Sequence, residues 1–147
     1  MRIAVASDHA GFALKEAVRK ALTERGHDVR DFGTRDTGSC DYPDYGAPAA
    51  RAVAKGAADR AVLVCGSGQG MCMVANKVRG VRAALAWTPE IARLSREHND
   101  ANALCLPARF VSEAQALEIV DAWLAAAFEG GRHAGRIEKM MNGEKED

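Results

Sequence analysis

Cys65 closes the apolar run AVLVC and opens the run CGSGQG over residues 65–70, in which three glycines stand at alternate positions. Glycines so spaced let successive backbone N–H groups converge on an anion, and a helix starting there adds its positive end. The same glycines also suit a plain tight turn. A helix N-terminus stabilises a thiolate, so Cys65 can serve as base or nucleophile. Taken alone, a strand-end cysteine equally reads as a small buried hydrophobe, and Cys40, Cys72 and Cys105 are read that way. Asp8 and His9 follow the first apolar run, pairing a carboxylate that accepts from hydroxyls with an imidazole that donates to an anion. The plainer alternative is that Asp8 caps the next helix and His9 is a solvated loop residue. Tyr42 is open in the same way. Arg132 and Arg136 are four apart and share one face of a helix, and Arg109 follows the last apolar run. Such cations suit a phosphate dianion, although paired charges on a terminal helix also serve as a solvated face.

Together these residues supply a base, an amide-lined cradle, the Ser67 hydroxyl, an imidazole and a set of cations. Aldose–ketose isomerisation of a sugar phosphate asks for those parts. The ring must open, a carbon-bound proton must leave, the enediolate oxygen must be stabilised, and the proton must return one carbon away. No hydride acceptor is needed. No cofactor is expected, and the spacing shows no cluster of metal ligands.

The elements that must position these groups are legible as short apolar runs without alternation: IAVA (3–6), AVLVC (61–65), AALA (83–86) and ALCL (103–106), with a weaker HDVRDF (27–32). Runs of that kind fit parallel strands buried on both faces. Helical spacing lies between them, at Leu14, Ala17, Val18, Ala21 and Leu22 with Gly26 as the stop, and at Leu117, Val120, Leu124 and Phe128. Pro43 and Pro89 suit first-turn positions, Thr88 can cap, and Ser112 with Gln115 forms a capping box. The alternation predicts a three-layer α/β/α sandwich around a five-stranded, parallel, doubly wound, Rossmann-like sheet, with a polar C-terminal extension. In such a sheet ligands sit beyond the carboxyl ends of the strands, where SDHAG, CDYPDY, CGSGQG and PAR all fall. His98 and Asn99 instead close the fourth helix, which runs antiparallel to its strands. They therefore lie at the opposite edge. His98 is then either a favourable cation at a helix C-terminus or a group serving a neighbouring subunit's site, and the second is preferred.

With 147 residues, 48% of them hydrophobic, one domain over 1–147 is expected. Lys+Arg and Asp+Glu are 20 each, so no global field favours nucleic acid or an anionic membrane. No export signal or membrane span is visible, and four cysteines without CxxC spacing fit reduced thiols in a cytoplasm.

SDHAGFALK, DYPDYG, CGSGQG followed by ANK at 75–77, LSREHNDAN, DAWL and EGGRHAGRI also resemble the type B ribose-5-phosphate isomerases, related to bacterial galactose-6-phosphate and allose-6-phosphate isomerases. The matching stretches run from residue 7 to 137. The resemblance implies that Cys65 abstracts the proton shuttled between C1 and C2, with His98 assisting ring opening. Ser67 and the amides of Gly66, Ser67, Gly68, Gln69 and Gly70 would hold the enediolate. Asp8, Tyr42 and Asn99 would contact sugar hydroxyls, and His9, Arg109, Arg132 and Arg136 would surround the phosphate. It further implies metal independence and a homodimer with shared sites, the C-terminal arm (130–147) contributing to the pairing; whether dimers form tetramers stays open. Ser67 stands where many relatives have threonine, which keeps the hydroxyl, and the cysteine that some relatives replace by a carboxylate is present. HND and GGRHxxR are closer to the ribose-phosphate branch, which favours a five-carbon substrate over hexose 6-phosphates.

Three rivals use similar parts. A dinucleotide-dependent reductase would carry its glycines after the first strand, where this chain has SDHAG. A cysteine-dependent phosphatase wants arginine six positions after the cysteine, and position 71 is methionine. A flavin- or nucleotide-binding module is the third.

Overall fold

The computed structural model describes residues 1–145, so the last two residues of the expected arm, 146 and 147, lie outside the described residues. The chain order is β1 (Arg2–Ser7), α1 (Phe12–Glu24), β2 (Asp28–Asp31), α2 (Tyr42–Ala54), β3 (Arg60–Cys65), α3 (Gln69–Asn76), β4 (Ala83–Leu85), α4 (Pro89–Asn99), β5 (Ala103–Pro107), α5 (Glu113–Ala125), α6 (Arg132–Asn142) and a short 3-10 turn at Gly143–Lys145. The strands pair in parallel in the order β2-β1-β3-β5-β4.

Side chains alternate across the central strands, and both sets are buried. Ile3, Val5, Val62, Val64, Leu104 and Leu106 pack under α1, α4 and α5, where Val18, Leu22, Ile119 and Trp123 meet them. Ala4, Ala6, Leu63, Cys65 and Cys105 face α2 and α3, meeting Ala49, Val53, Met71 and Ala75. Burial on both faces is why these strands read as unbroken apolar runs. The start signals act as expected: Thr88 Oγ1 accepts from the Ile91 amide, and Ser112 and Gln115 bond reciprocally.

The helix expected to reach Phe128 stops at Ala125. The Glu129 amide donates to the Glu97 carbonyl at 3.0 Å, whereas a continued helix would direct it to Ala125. Gly130 and Gly131, both at positive φ, then turn the chain into α6, which packs on α4. Among the described residues, no helix is long and apolar enough to cross a membrane.

Candidate active site

Beyond the carboxyl ends of β1 and β3 lies a cleft of about 430 Å3 lined by Asp8, His9, Tyr42, Cys65, Ser67 and Arg109, among others. Cys65 is its innermost thiol, 4% exposed at the end of β3. The chain then turns through Gly68, whose φ of 75° is open to glycine, into α3. A Cβ there would stand 2.5 Å from Leu85 Cδ1 and 3.1 Å from the Leu106 carbonyl carbon, so the turn sits tightly on the sheet. This tight turn from β3 into the start of α3 is where the glycine spacing places the cradle.

The other loops close around it. A Cβ on Gly70 would meet the Tyr42 ring at 2.7 Å, which places that ring directly against the cradle. Gly66 has Arg109 over it: the Arg109 amide donates to the Gly66 carbonyl at 3.0 Å, and a Cβ on Gly66 would lie 3.1 Å from Arg109 Nη1. Arg109 thus lies over the loop that follows Cys65 in its own chain. His9 accepts at Nδ1 from the Cys40 amide at 3.2 Å. Asp8 accepts from the Gly11 amide at 3.0 Å through Oδ1 in the turn that precedes α1, whose N-cap is Gly11, so Asp8 lines the cleft without capping the helix. Ser67 Oγ accepts from the Gln69 amide at 3.4 Å. Ser67 and Gln69 continue into an apolar recess of about 310 Å3 with Leu85, Trp87, Pro107 and Phe110.

The approach to Asp8 is braced from below. Ser7 and the Gly33–Thr34 segment exchange backbone hydrogen bonds at 2.7 and 2.8 Å. Fully buried Lys15 holds that segment, donating to both Asp31 oxygens at 2.8 Å and to the Thr34 carbonyl at 2.7 Å. Burial alone would raise the Asp31 carboxyl, but Lys15, the Gly33 amide and Arg35 outweigh it and hold the group below the usual carboxylate range.

Four expected site residues are elsewhere. His98 and Asn99 end α4, and Arg132 and Arg136 lie exposed on the first turns of α6, at the opposite edge of the sheet. Asn99 lines a separate cleft of about 500 Å3 with Asn76, Arg82, Met140 and Met141. That space is somewhat roomier, yet among the described residues it is the Cys65 cleft that brings a thiol, an imidazole and a guanidinium together.

Two residues absent from the sequence reading stand beside His98. The His133 ring stacks on it, centroids 4.3 Å apart and 17° from parallel, and Glu129 lies 3.8 Å from His133 Nε2. Burial first, and then the charges of His98, Arg132 and Arg136, push the His133 pKa down against the opposing pull of Glu129. Their sequence distance from His98 hid the grouping.

Of the other cysteines, Cys105 is fully buried as expected, but Cys72 is only partly so. The neighbouring Cys105 thiol draws the Cys72 thiol down to about 7 against its burial, helped by Leu85 and Asn76. The same pairing, with burial, pushes Cys105 well up. Met71, where a phosphatase would need arginine, is buried with its sulfur against Gly46.

Residues 3–140 match the Ribose/Galactose Isomerase family. The chain is 47% identical over 139 residues to ribose-5-phosphate isomerase B of Escherichia coli K12, covering 95% of this chain and 93% of that protein. Among solved structures, ribose-5-phosphate isomerase B of Clostridium thermocellum superposes with a TM-score of 0.98 at 49% identity, covering 99% of both chains. The Mycoplasma genitalium enzyme, solved with bound ribulose 5-phosphate, superposes with a TM-score of 0.96 at 44% identity over 99% of this chain and 97% of that one.

Proposed function

The chain belongs to the ribose/galactose isomerase family, and from that premise we propose how its residues interconvert ribose 5-phosphate and ribulose 5-phosphate. His98 of one subunit serves the Cys65 cleft of another. It relays the proton that leaves O1 and reaches the ring oxygen as the furanose opens. Cys65, as thiolate, takes the proton from C2. The negative charge passes to the C1 oxygen, where the amides of residues 66–70 and the Ser67 hydroxyl stabilise the enediolate. The O2 proton passes to the C1 oxygen, which moves the charge to O2; as O2 becomes the ketone oxygen, C1 takes the proton back from the Cys65 thiol and the thiolate is restored, so no atom or electron is gained or lost.

Asp8, Tyr42 and Asn99 orient the hydroxyls; His9 and Arg109 of the cleft, with Arg132 and Arg136 of the second chain, hold the phosphate. The observation that carries this reading is the placement of a buried cysteine at the start of a glycine-built turn that Arg109 covers at Gly66 and the Tyr42 ring at Gly70. The homodimer with shared sites is supported by the division of the expected residues between opposite sheet edges. α6 packs on α4 of its own chain and leaves Arg132 and Arg136 exposed on its first turns, open to a second subunit. Four free thiols fit the reducing, cytoplasmic setting proposed for it.

Conversion of ribose 5-phosphate to ribulose 5-phosphate in the presence of a chelator, by wild type and Cys65→Ala, tests the assignment. Loss of a proton-transfer residue lowers kcat by about 10²–10⁴. A fully active Cys65→Ala enzyme would remove Cys65 as the base. Faster turnover of allose or galactose 6-phosphate would move the preference to six-carbon sugars.

A further inference from the structure

His98, Glu129 and His133 each offer a ligand atom, and these atoms all lie within 4.8 Å of one another. We infer that the three side chains form a binding site for one divalent transition-metal ion of the zinc class, and that loading it inhibits the isomerase. The inhibitory part rests on the role proposed above for His98.

The grouping is built by the fold. The Glu129 amide is tied to the Glu97 carbonyl at 3.0 Å, which fixes the α5–α6 connection against the last turn of α4. The positive-φ pair Gly130–Gly131 then brings the chain round so that the first turn of α6 lays His133 on His98. His133 is 6% exposed, and its Nε2 is a buried polar atom with no hydrogen-bond partner. A buried nitrogen without a hydrogen-bond partner, 3.8 Å from a carboxylate and beside a second imidazole, is a ligand atom that a metal ion would satisfy.

Two imidazoles and one carboxylate are the ligand set of open, three-residue zinc sites, with water or another group in the fourth position. Metal–ligand distances of about 2.0–2.2 Å place tetrahedral ligand atoms about 3.3 Å apart, so the trio must close by roughly 1.5 Å at most. Glu129, with 52% of its side chain exposed, and the half-buried His98 have the freedom to do so. Arg132 and Arg136 oppose a cation from the same helix, which suits a reversible ion rather than a structural one. A metal on His98 occupies the lone pair that ring opening needs.

The test uses the full chain stripped with chelator, titrated calorimetrically with Zn2+, and with Co2+ for its absorption spectrum. One ion per chain is expected, with a tetrahedral nitrogen–oxygen cobalt spectrum lacking thiolate charge transfer. Glu129→Gln and His133→Asn should each weaken binding by about ten-fold or more. Glu129 is exposed, so its variant guards against a folding defect in the other. Isomerisation should fall as sites fill in wild type, resist Zn2+ in both variants, and recover with chelator. Absence of a bound ion, binding unchanged by both variants, or thiolate charge transfer would overturn the site. Filling that leaves the rate unchanged would overturn the inhibition. A wild-type chain inactive in chelator would instead contradict the isomerase mechanism and leave the calorimetric result standing.

Discussion

The Cys40 amide donates to His9 Nδ1 at 3.2 Å, and a nitrogen held as an acceptor leaves the imidazole proton on Nε2. A loop residue remote in sequence thus fixes the tautomer of a side chain that lines the Cys65 cleft. His9 is then a ready donor to a phosphate oxygen and has no vacant lone pair with which to compete as a base. Hydrogen bonds to charged groups contribute about 1.5–3 kcal/mol, so His9→Ala should lower kcat/KM for ribose 5-phosphate by about 10–100-fold. The loss should fall mainly on KM. Steady-state kinetics checks this, and a variant with wild-type KM and reduced kcat would assign His9 to the chemical step instead.

Gly68 and Gly70 differ in what a side chain would disturb. At Gly68 the φ is 75° and a Cβ would press on Leu85 and the Leu106 backbone, so Gly68→Ala should destabilise the fold by about 1–3 kcal/mol. At Gly70 the obstacle is the Tyr42 ring, which is 38% exposed and free to swing aside. Gly70→Ala should therefore keep nearly wild-type stability and lose substrate affinity. Paired thermal denaturation and KM measurements distinguish the two; equal stability losses would show that Tyr42 is rigidly held.

Acid should erode the Lys15–Asp31 brace. Asp31 is depressed in the folded state, so its contribution is fully present above the unfolded carboxylate pKa of about 3.9 and is lost as pH falls through the lower folded value. At neutral pH Asp31→Asn leaves the buried Lys15 ammonium only Glu16, 3.2 Å away, as a carboxylate partner, so the loss should fall below the about 3–5 kcal/mol of a buried ion left wholly unpaired. Urea unfolding of wild type and variant should show a gap that narrows only below about pH 4. A gap independent of pH would mean that the carboxylate charge is irrelevant to the brace.

Cys72 should ionise near neutrality, because the Cys105 thiol beside it, with Leu85 and Asn76, draws its thiol down to about 7. Peptide mapping after short iodoacetamide pulses should give a Cys72 modification rate with a midpoint near that pH, well below the ~8.5 of a free cysteine. Cys105, fully buried, should stay unmodified in the native protein. A Cys105→Ala variant should move the Cys72 midpoint upward.

The fold was legible where one residue pattern had one structural meaning. The apolar runs at 61–65 and 103–106 became β3 and β5 because strands covered on both faces need no polar positions. Thr88, Ser112 and Gln115 capped as their types dictate. Where tertiary tethers competed, sequence was insufficient: Phe128 has helical spacing, yet the Glu129–Glu97 bond ends α5 before it. Pro48 lies inside α2, where pattern alone would place a break.

Within the site, loops that follow strands were readable because an open parallel sheet gathers them at one edge. The displacement of His98 followed from helix direction alone. The stacking of His133 on His98 did not, since it depends on the turn of Gly130–Gly131 and on packing between α4 and α6. The pairing of Cys72 with Cys105 likewise arises from α3 packing on β5.

The most direct test of a site built from Cys65 of one chain and His98 of another is subunit complementation. Cys65→Ala and His98→Asn should each be nearly inactive as homodimers. Mixed in equal parts and allowed to exchange, half the dimers become mixed, and each mixed dimer holds one intact site, so activity should return to about a quarter of wild type. A mixture no more active than its components, with exchange verified by mass, would contradict the shared site and place Cys65 and His98 in separate roles.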